Sequence, residues 1–148
     1  MARMRRLVLD TNIVLSGLLW RGPPYSLLTH IGQNPGIQLF SSQGLLDELA
    51  DVLIRPSPAK RLELINKTAL EVLADYLSAV TVLLPQPLAR PVCRDPDDDE
   101  VLALALLAQA QAIVSGDNDL LVLQRFEGIA IITAAQALQQ LEVGVDEN

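Results

Sequence analysis

The chain has 148 residues, half of them apolar, with a formal net charge of −7 and a pI near 4.5. This length is enough for one sizeable core, so we expect a single domain over residues 1–148. The acidic balance argues against a protein that grips nucleic acid through a broad basic surface. Cys93 is the only cysteine, which excludes an internal disulfide, and His30 is the only histidine. The chain therefore has few residues for a zinc site or a histidine-based catalytic triad. Any catalysis therefore has to use carboxylates.

Membrane and export signals are not evident. No apolar run approaches the roughly 20 residues that span a bilayer. The first six residues lack the long apolar stretch and the small-residue cleavage site of a secretory signal. We expect a cytoplasmic protein with no membrane partner.

The first predicted strand, residues 7–9, is a short apolar run that ends at Asp10. Thr11 and Asn12 then suit a helix cap, and helical segments are expected over residues 13–20 and 25–31. A lone acid directly after a buried strand is costly unless it is paired. Of all the acids in the chain, Asp10 is therefore the one least readily explained by a structural role alone.

A second strand is predicted over residues 37–40, followed by a helix over residues 41–55 whose apolar residues recur with a 3.6-residue period. Asp47 and Asp51 fall on its solvated face. Glu48 falls at the margin of the apolar stripe, where a partly shielded carboxylate needs a partner or a metal. The alternative is that Glu48 is a solvated surface acid.

The remaining elements follow the same alternation of helix and strand. They are one or two helices over residues 58–79, a strand over 80–84, a helix over 95–112, strands over 112–115 and 129–132, and a helix over 134–141. The helix from residue 95 is apolar on nearly every side, which is typical of an interior position. Strands alternating with helices predict an α/β fold with a mainly parallel sheet.

Acids gather at two further places. Five acids stand within residues 95–100, and Asp117 and Asp119 follow the strand over residues 112–115. Asp95 before Pro96, with acids in the first turn, is also what an ordinary capped helix requires. The segment around Asp117 could equally be a turn and a cap. Five acids in six residues nevertheless exceed the need for capping, since adjacent like charges oppose one another.

Functional groups of open α/β sheets collect outside the carboxyl ends of the strands, where Asp10 and Asp117 are both predicted to lie. Mg²⁺ and Mn²⁺ prefer oxygen ligands, usually a few carboxylates with water and substrate phosphates. Asp10, Glu48, Asp117 and either Asp98 or Asp99 would make a suitable site. The chain has no phosphate-cradling glycine-lysine loop and no GxGxxG motif, so ATP and dinucleotide chemistry are unsupported.

Four segments carry these acids in order along the chain: Leu7-Val8-Leu9-Asp10-Thr11-Asn12, Leu46-Asp47-Glu48-Leu49, Asp95-Pro96-Asp97-Asp98-Asp99 and Val114-Ser115-Gly116-Asp117-Asn118-Asp119-Leu120-Leu121. In this order and spacing they resemble the PIN-domain family. The resemblance extends over about residues 7–141. It is strongest to the PIN-family toxin components of toxin–antitoxin systems, which are related to the VapC-type ribonucleases.

The resemblance implies a Rossmann-like, three-layer α/β/α fold, commonly dimeric, and an endoribonuclease that depends on Mg²⁺ or Mn²⁺. The metal quartet would be Asp10, Glu48, Asp98 or Asp99, and Asp117. Asp98 is the first choice for the third acid, because the position of Asp99 is often an asparagine in this branch. Supporting roles would fall to Asp119 near the metal and to Thr11, Asn12 and Ser115, which orient ligands or water. The implied partners are an RNA substrate, a protein antitoxin and a second copy of the chain.

Two other interpretations stay open at this point. The chain could be a catalytically silent or partner-regulated PIN module that binds RNA or an antitoxin without cleavage. It could also be a phosphate-handling enzyme or receiver domain with Asp10 as nucleophile, although Asn12 stands where such proteins need a second aspartate. Arg3, Arg5 and Arg6 could meet RNA phosphates or form a solubilising flank.

Overall fold

The structure, a computed structural model, describes residues 4–146. The strands of this range are β1 (Arg6–Leu9), β2 (Gln38–Ser42), β3 (Val80–Leu83), β4 (Ala112–Val114), β5 (Arg125–Phe126) and β6 (Ile129–Ile132). Its helices are α1 (Thr11–Leu19), α2 (Pro23–Gly32), α3 (Gln43–Leu53), α4 (Pro56–Leu64), α5 (Ala69–Ala79), α6 (Pro96–Ala108), α7 (Asn118–Leu121) and α8 (Ala134–Asp146).

The strands form one sheet in the order β3-β2-β1-β4-β6-β5. β1 pairs in parallel with β2 and with β4, which places Val8 opposite Phe40 on one side and Ile113 on the other. β5 is antiparallel to β6, and the other pairings are parallel. Parallel neighbours need long crossover connections, and the helices supply them. The predicted mainly parallel sheet is confirmed.

Helices cover both faces of this sheet. Successive side chains of a strand point to opposite faces. Leu7 and Leu9 therefore join a core built with α1, α2, α3, α5 and α8, whereas Val8 joins a second core built with α6 and α7. All three of these side chains are at most 2% exposed. The three-layer α/β/α architecture expected from the sequence is confirmed.

The structure differs from the predicted elements in the connections. The predicted helical stretch over residues 58–79 divides into α4 and α5, and the hydroxyl of Thr68 caps the second of them. α6 ends at Ala108 rather than near residue 112, because Gln109 adopts a left-handed conformation with φ of 52° and β4 begins at Ala112. α7 and β5 were not predicted as elements, since four and two residues show no periodicity.

The topology brings several chain segments to one edge of the sheet. β1 and β4 are parallel neighbours, so Asp10 and Asp117 both lie beyond their carboxyl ends. α3 begins at the same edge because it directly follows β2, with Ser42 as its capping residue. Among the helices within residues 4–146, none is long and apolar enough to cross a membrane.

Candidate metal centre

Asp10 connects β1 to α1 and is only 5% exposed. Its Oδ1 accepts a hydrogen bond of 3.0 Å from the backbone N–H of Ile13 and so caps α1, while its Oδ2 accepts one from the hydroxyl of Ser115. Burial raises the pKa of Asp10; the bonds from Ser115 and Ile13 oppose this rise, and the charge of Asp117 adds to it. The carboxylate is thus held in place at an energetic cost.

Ser115 joins the first and fourth acidic segments. It is fully buried, donates its hydroxyl proton to Asp10, and accepts a bond of 2.9 Å from the backbone N–H of Asp117. Asp117 in turn caps the short helix α7, since its Oδ1 accepts a bond of 2.8 Å from the N–H of Asp119. Ser115 therefore fixes two acids relative to each other.

Asp98 lies in the first turn of α6 and is 8% exposed. Its Oδ2 is buried, and no hydrogen-bond donor of the described residues reaches it. Burial, followed by the charges of Asp117, Asp95 and Asp10, raises the pKa of Asp98 to about 7. An unpaired buried carboxylate among other acids is unstable without a compensating positive charge.

Glu48 reaches the same cleft from α3 and is half-buried. Burial raises the pKa of Glu48, the hydroxyl of Thr11 opposes this rise, and Asp97 and Asp95 on the facing end of α6 add to it. The hydroxyl of Thr11 is buried beside Glu48, while Asn12 is exposed.

These acids line one cleft at the carboxyl edge of the sheet. The space open to water inside it is about 80 Å³, enough for a few water molecules. The lining residues are Asp10, Thr11, Asn12, Leu45, Glu48, Asp95, Asp97, Asp98, Val101 and Asp117.

Three carboxylates lie close enough together to bind one metal ion. Oxygens of Asp98, Asp117 and Asp119 all lie within 4.8 Å of one another. Asp10 and Glu48 line the cleft together with Asp98 and Asp117 but do not join that group of three, and Asp119 lies beside the cleft and not in its lining. Asp119 also forms an ion pair with Arg94, whose Nη2 lies 3.0 Å from Oδ1.

Two comparisons with known proteins agree with this geometry. The family model described as PIN domain matches residues 6–119, a range that contains every acid of the cleft. The chain belongs to the PIN-domain family. The uncharacterized protein MJ1680 of Methanocaldococcus jannaschii is 30% identical over 120 residues, which cover 80% of this chain and 75% of that protein. PIN domains are generally nucleases that bind nucleic acid and typically hold divalent metals.

The residues of this PIN domain fit a divalent cation. Its cleft offers carboxylate oxygens, which are the donors that hard cations such as Mg²⁺ and Mn²⁺ take. The unpartnered Oδ2 of Asp98 and the raised pKa values of three acids both indicate negative charge that a cation would neutralise. Asp98, Asp117 and Asp119 would hold the ion, with Asp10 and Glu48 beside them.

The two candidates for the third acid are placed differently in the PIN domain. Asp98 faces the cleft, whereas the carboxylate of Asp99 accepts hydrogen bonds from the backbone N–H groups of Val92 and Cys93, at 3.2 and 2.8 Å. Asp99 does not line the cleft. Asp98 and Asp99 are adjacent on a helix and point in different directions, so only Asp98 is brought together with the other acids.

Three charged residues outside the expected set lie in or beside the cleft. Asp95 and Asp97, for which helix capping alone was an open explanation, line the cleft, and Asp95 also caps α6 through a bond of 2.9 Å to the N–H of Asp97. Arg94 was missed, because an arginine before a capping aspartate carries no distinctive pattern.

The N-terminal arginines give no support to RNA contact at the cleft. Arg5 and Arg6 lie at the start of β1, opposite the edge that carries the acids. Arg6 donates from Nε to the carbonyl of Ala108 at 2.7 Å and stacks 4.7 Å from the ring centroid of Phe40. Arg3 lies outside the described residues.

Proposed function

We propose that this PIN domain is an endoribonuclease that hydrolyses RNA phosphodiesters with the help of Mg²⁺ or Mn²⁺ in the acidic cleft. The observation that carries the proposal is the buried Oδ2 of Asp98, which has no hydrogen-bond donor in the described part of the chain and lies among other carboxylates. Membership of a family that is generally nucleolytic supports the same function.

Each acid has its own part in this proposal. Asp98, Asp117 and Asp119 bind the cation, and Asp10 and Glu48 contribute charge to the same cleft. When bound, the cation lowers the pKa of water and neutralises negative charge on the phosphate. Ser115 keeps Asp10 and Asp117 in fixed relation through its two hydrogen bonds. Thr11 and Asn12 offer polar groups at the cleft wall for water or substrate.

No protein nucleophile is needed. Within residues 4–146 the cleft is lined by carboxylates, an amide, a threonine hydroxyl and two apolar side chains, without histidine, cysteine or lysine. A general base made from the raised-pKa acids, or metal-assisted hydrolysis, is the chemistry that this set can support. We favour the second because several acids converge where one base would suffice.

The test is cleavage of structured and single-stranded RNAs by purified protein with Mn²⁺, Mg²⁺ or EDTA. Asp10→Asn and Asp117→Asn remove one charge from the cleft, and Asp51→Asn removes one from the exposed side of α3 as a matched control. We expect cutting that requires metal, is lost in both cleft variants and persists in the control. Absence of cutting by pure wild-type protein in every metal would favour the alternative, a PIN module that binds RNA or a partner without cleavage.

The biological setting proposed here is that of a toxin in a toxin–antitoxin pair, acting in the cytoplasm as a homodimer and neutralised by a protein antitoxin. Resemblance to the toxin branch of the PIN family supports it. Induced expression should arrest growth with the wild-type chain and not with Asp117→Asn. Sedimentation analysis of the purified protein tests the dimer.

A further inference from the structure

Arg94 is a cationic side chain held beside an acidic cleft. Its Nη2 lies 3.0 Å and 3.2 Å from the two carboxylate oxygens of Asp119, yet the arginine side chain is 87% exposed. Both hydrogen bonds come from one nitrogen of the guanidinium. The donors on Nε and Nη1 have no hydrogen-bond partner among the described residues, and the contact with Asp119 favours one direction of the guanidinium.

The loop that carries Arg94 is fixed as well. The carboxylate of Asp99 accepts hydrogen bonds from the backbone N–H groups of Val92 and Cys93, the two residues before Arg94. Directly after Arg94, Asp95 caps α6. The backbone is thus held by hydrogen bonds on both sides of Arg94. The side chain of Asp99 binds this loop and does not line the cleft.

The charges around the cleft make such an arginine useful. Six carboxylates line the cleft, so an approaching phosphodiester strand meets a strongly negative surface. The planar guanidinium of Arg94 matches the oxygens of a phosphate, and it stays charged at any working pH. Asp119 links this cation to the acids, because one of its oxygens lies within 4.8 Å of an oxygen of Asp98 and of an oxygen of Asp117.

We propose that Arg94 binds a phosphate of the RNA strand at the rim of the cleft, oriented by Asp119 and carried by the loop that Asp99 anchors. This inference rests on the proposed function in taking RNA as the substrate. Arg94 acts in substrate binding: it places the strand against the acids and has no part in proton transfer.

The test measures binding separately from cutting. Fluorescence anisotropy of a short labelled single-stranded RNA is recorded with Ca²⁺ in place of the catalytic metals, over a series of salt concentrations, and a gel checks that the probe stays intact. The variants are Arg94→Ala, Arg94→Lys and Arg90→Ala. Arg90 is an exposed arginine of the same loop region without an ion pair in the described structure, so its variant matches the change in net charge.

We expect Arg94→Ala to weaken RNA binding about tenfold, as the loss of a charge-assisted contact does, and to reduce the salt slope by about 0.7. Arg94→Lys should restore the salt slope but only part of the affinity, because a lysine lacks the oriented fork. Arg90→Ala should leave both unchanged. In cleavage assays the loss in Arg94→Ala should appear mainly as a higher KM.

Equal binding by Arg94→Ala and Arg90→Ala would overturn the proposal, as would a wild-type protein that binds no RNA. Arg94-dependent binding without any cleavage in Mn²⁺ or Mg²⁺ would support the phosphate contact and overturn the ribonuclease function. Metal-dependent cleavage with an unchanged KM in Arg94→Ala would support the ribonuclease function and overturn the phosphate contact.

Discussion

Gly44 permits a close contact between α3 and α6, the two helices that bring Glu48 and Asp98 to the cleft. A Cβ atom at Gly44 would overlap Oε2 of Glu100 and lie 2.6 Å from its Cδ. In the native protein the same Oε2 accepts a hydrogen bond of 2.6 Å from the hydroxyl of Ser42, the residue that caps α3. Gly44→Ala therefore forces the Glu100 carboxylate away from the start of α3.

The size of the effect follows from three contributions. Loss of a hydrogen bond to a charged group costs about 1.5–3 kcal/mol. Loss of a carboxylate beside a helix N-terminus costs about 0.3–1 kcal/mol more. Alanine offsets this by up to about 1 kcal/mol through its higher helix propensity. Because Glu100 is only half-buried, we take the low end and expect Gly44→Ala to reduce the free energy of unfolding by about 1–2 kcal/mol.

Urea unfolding of a double-mutant cycle measures this contact. The cycle comprises wild type, Gly44→Ala, Glu100→Ala and the double variant. In the Glu100→Ala background the clash has gone, so Gly44→Ala should be neutral or stabilising by up to about 1 kcal/mol. If Gly44→Ala is at least as stable as wild type while Glu100 is present, the account of this contact is wrong.

Three further predictions concern the acids themselves. The metal-free protein should lose stability as the pH rises from about 4 to about 7. The folded state holds the proton of Asp98 up to a pKa of about 7, whereas the unfolded chain releases it near the ordinary value of 3.8. Urea unfolding in EDTA at several pH values measures this loss, and a free energy of unfolding that does not change with pH would contradict it. Asp98→Asn should raise the free energy of unfolding in EDTA at pH 8 by about 1 kcal/mol, which is a few degrees in Tm, because it removes a buried unpaired charge. A lower Tm of this variant would show that the charge of Asp98 does not destabilise the metal-free protein. Ser115→Ala should cost about 1–3 kcal/mol, because Oδ2 of Asp10 loses its hydrogen-bond donor and the N–H of Asp117 loses its acceptor. A loss within experimental error would show that the two bonds are dispensable.

Much of the fold follows from local patterns in the sequence. Short apolar runs such as residues 7–9 and 129–132 identify buried strands, because a strand covered on both faces has no polar side. The two-residue β5 has no such run and depends on its pairing with β6. The end of α6 was also missed, because the left-handed residue that ends it is Gln109 and not the glycine or asparagine that usually marks such an end in a sequence.

The gathering of acids was predictable because parallel strands end at a shared edge of the sheet. The residue pattern alone could not decide whether Asp98 or Asp99 faces the cleft, because the rotation of α6 about its axis depends on packing. Val101, about one turn after Asp98, also lines the cleft. Packing therefore turns the face of α6 that carries Asp98 and Val101 towards the cleft. Arg94 was hidden for a related reason: its partner Asp119 is distant in sequence and near only in the fold.

Calorimetric titration of Mn²⁺ into the metal-free protein measures whether the acidic cleft binds a divalent cation. Wild type, Asp98→Asn and the exposed control Asp51→Asn form the matched set. We predict saturable Mn²⁺ binding by wild type and by Asp51→Asn, with at least about tenfold weaker binding by Asp98→Asn. Equal Mn²⁺ affinity in all three proteins, or no binding by wild type, would show that the acidic cleft is not a metal site.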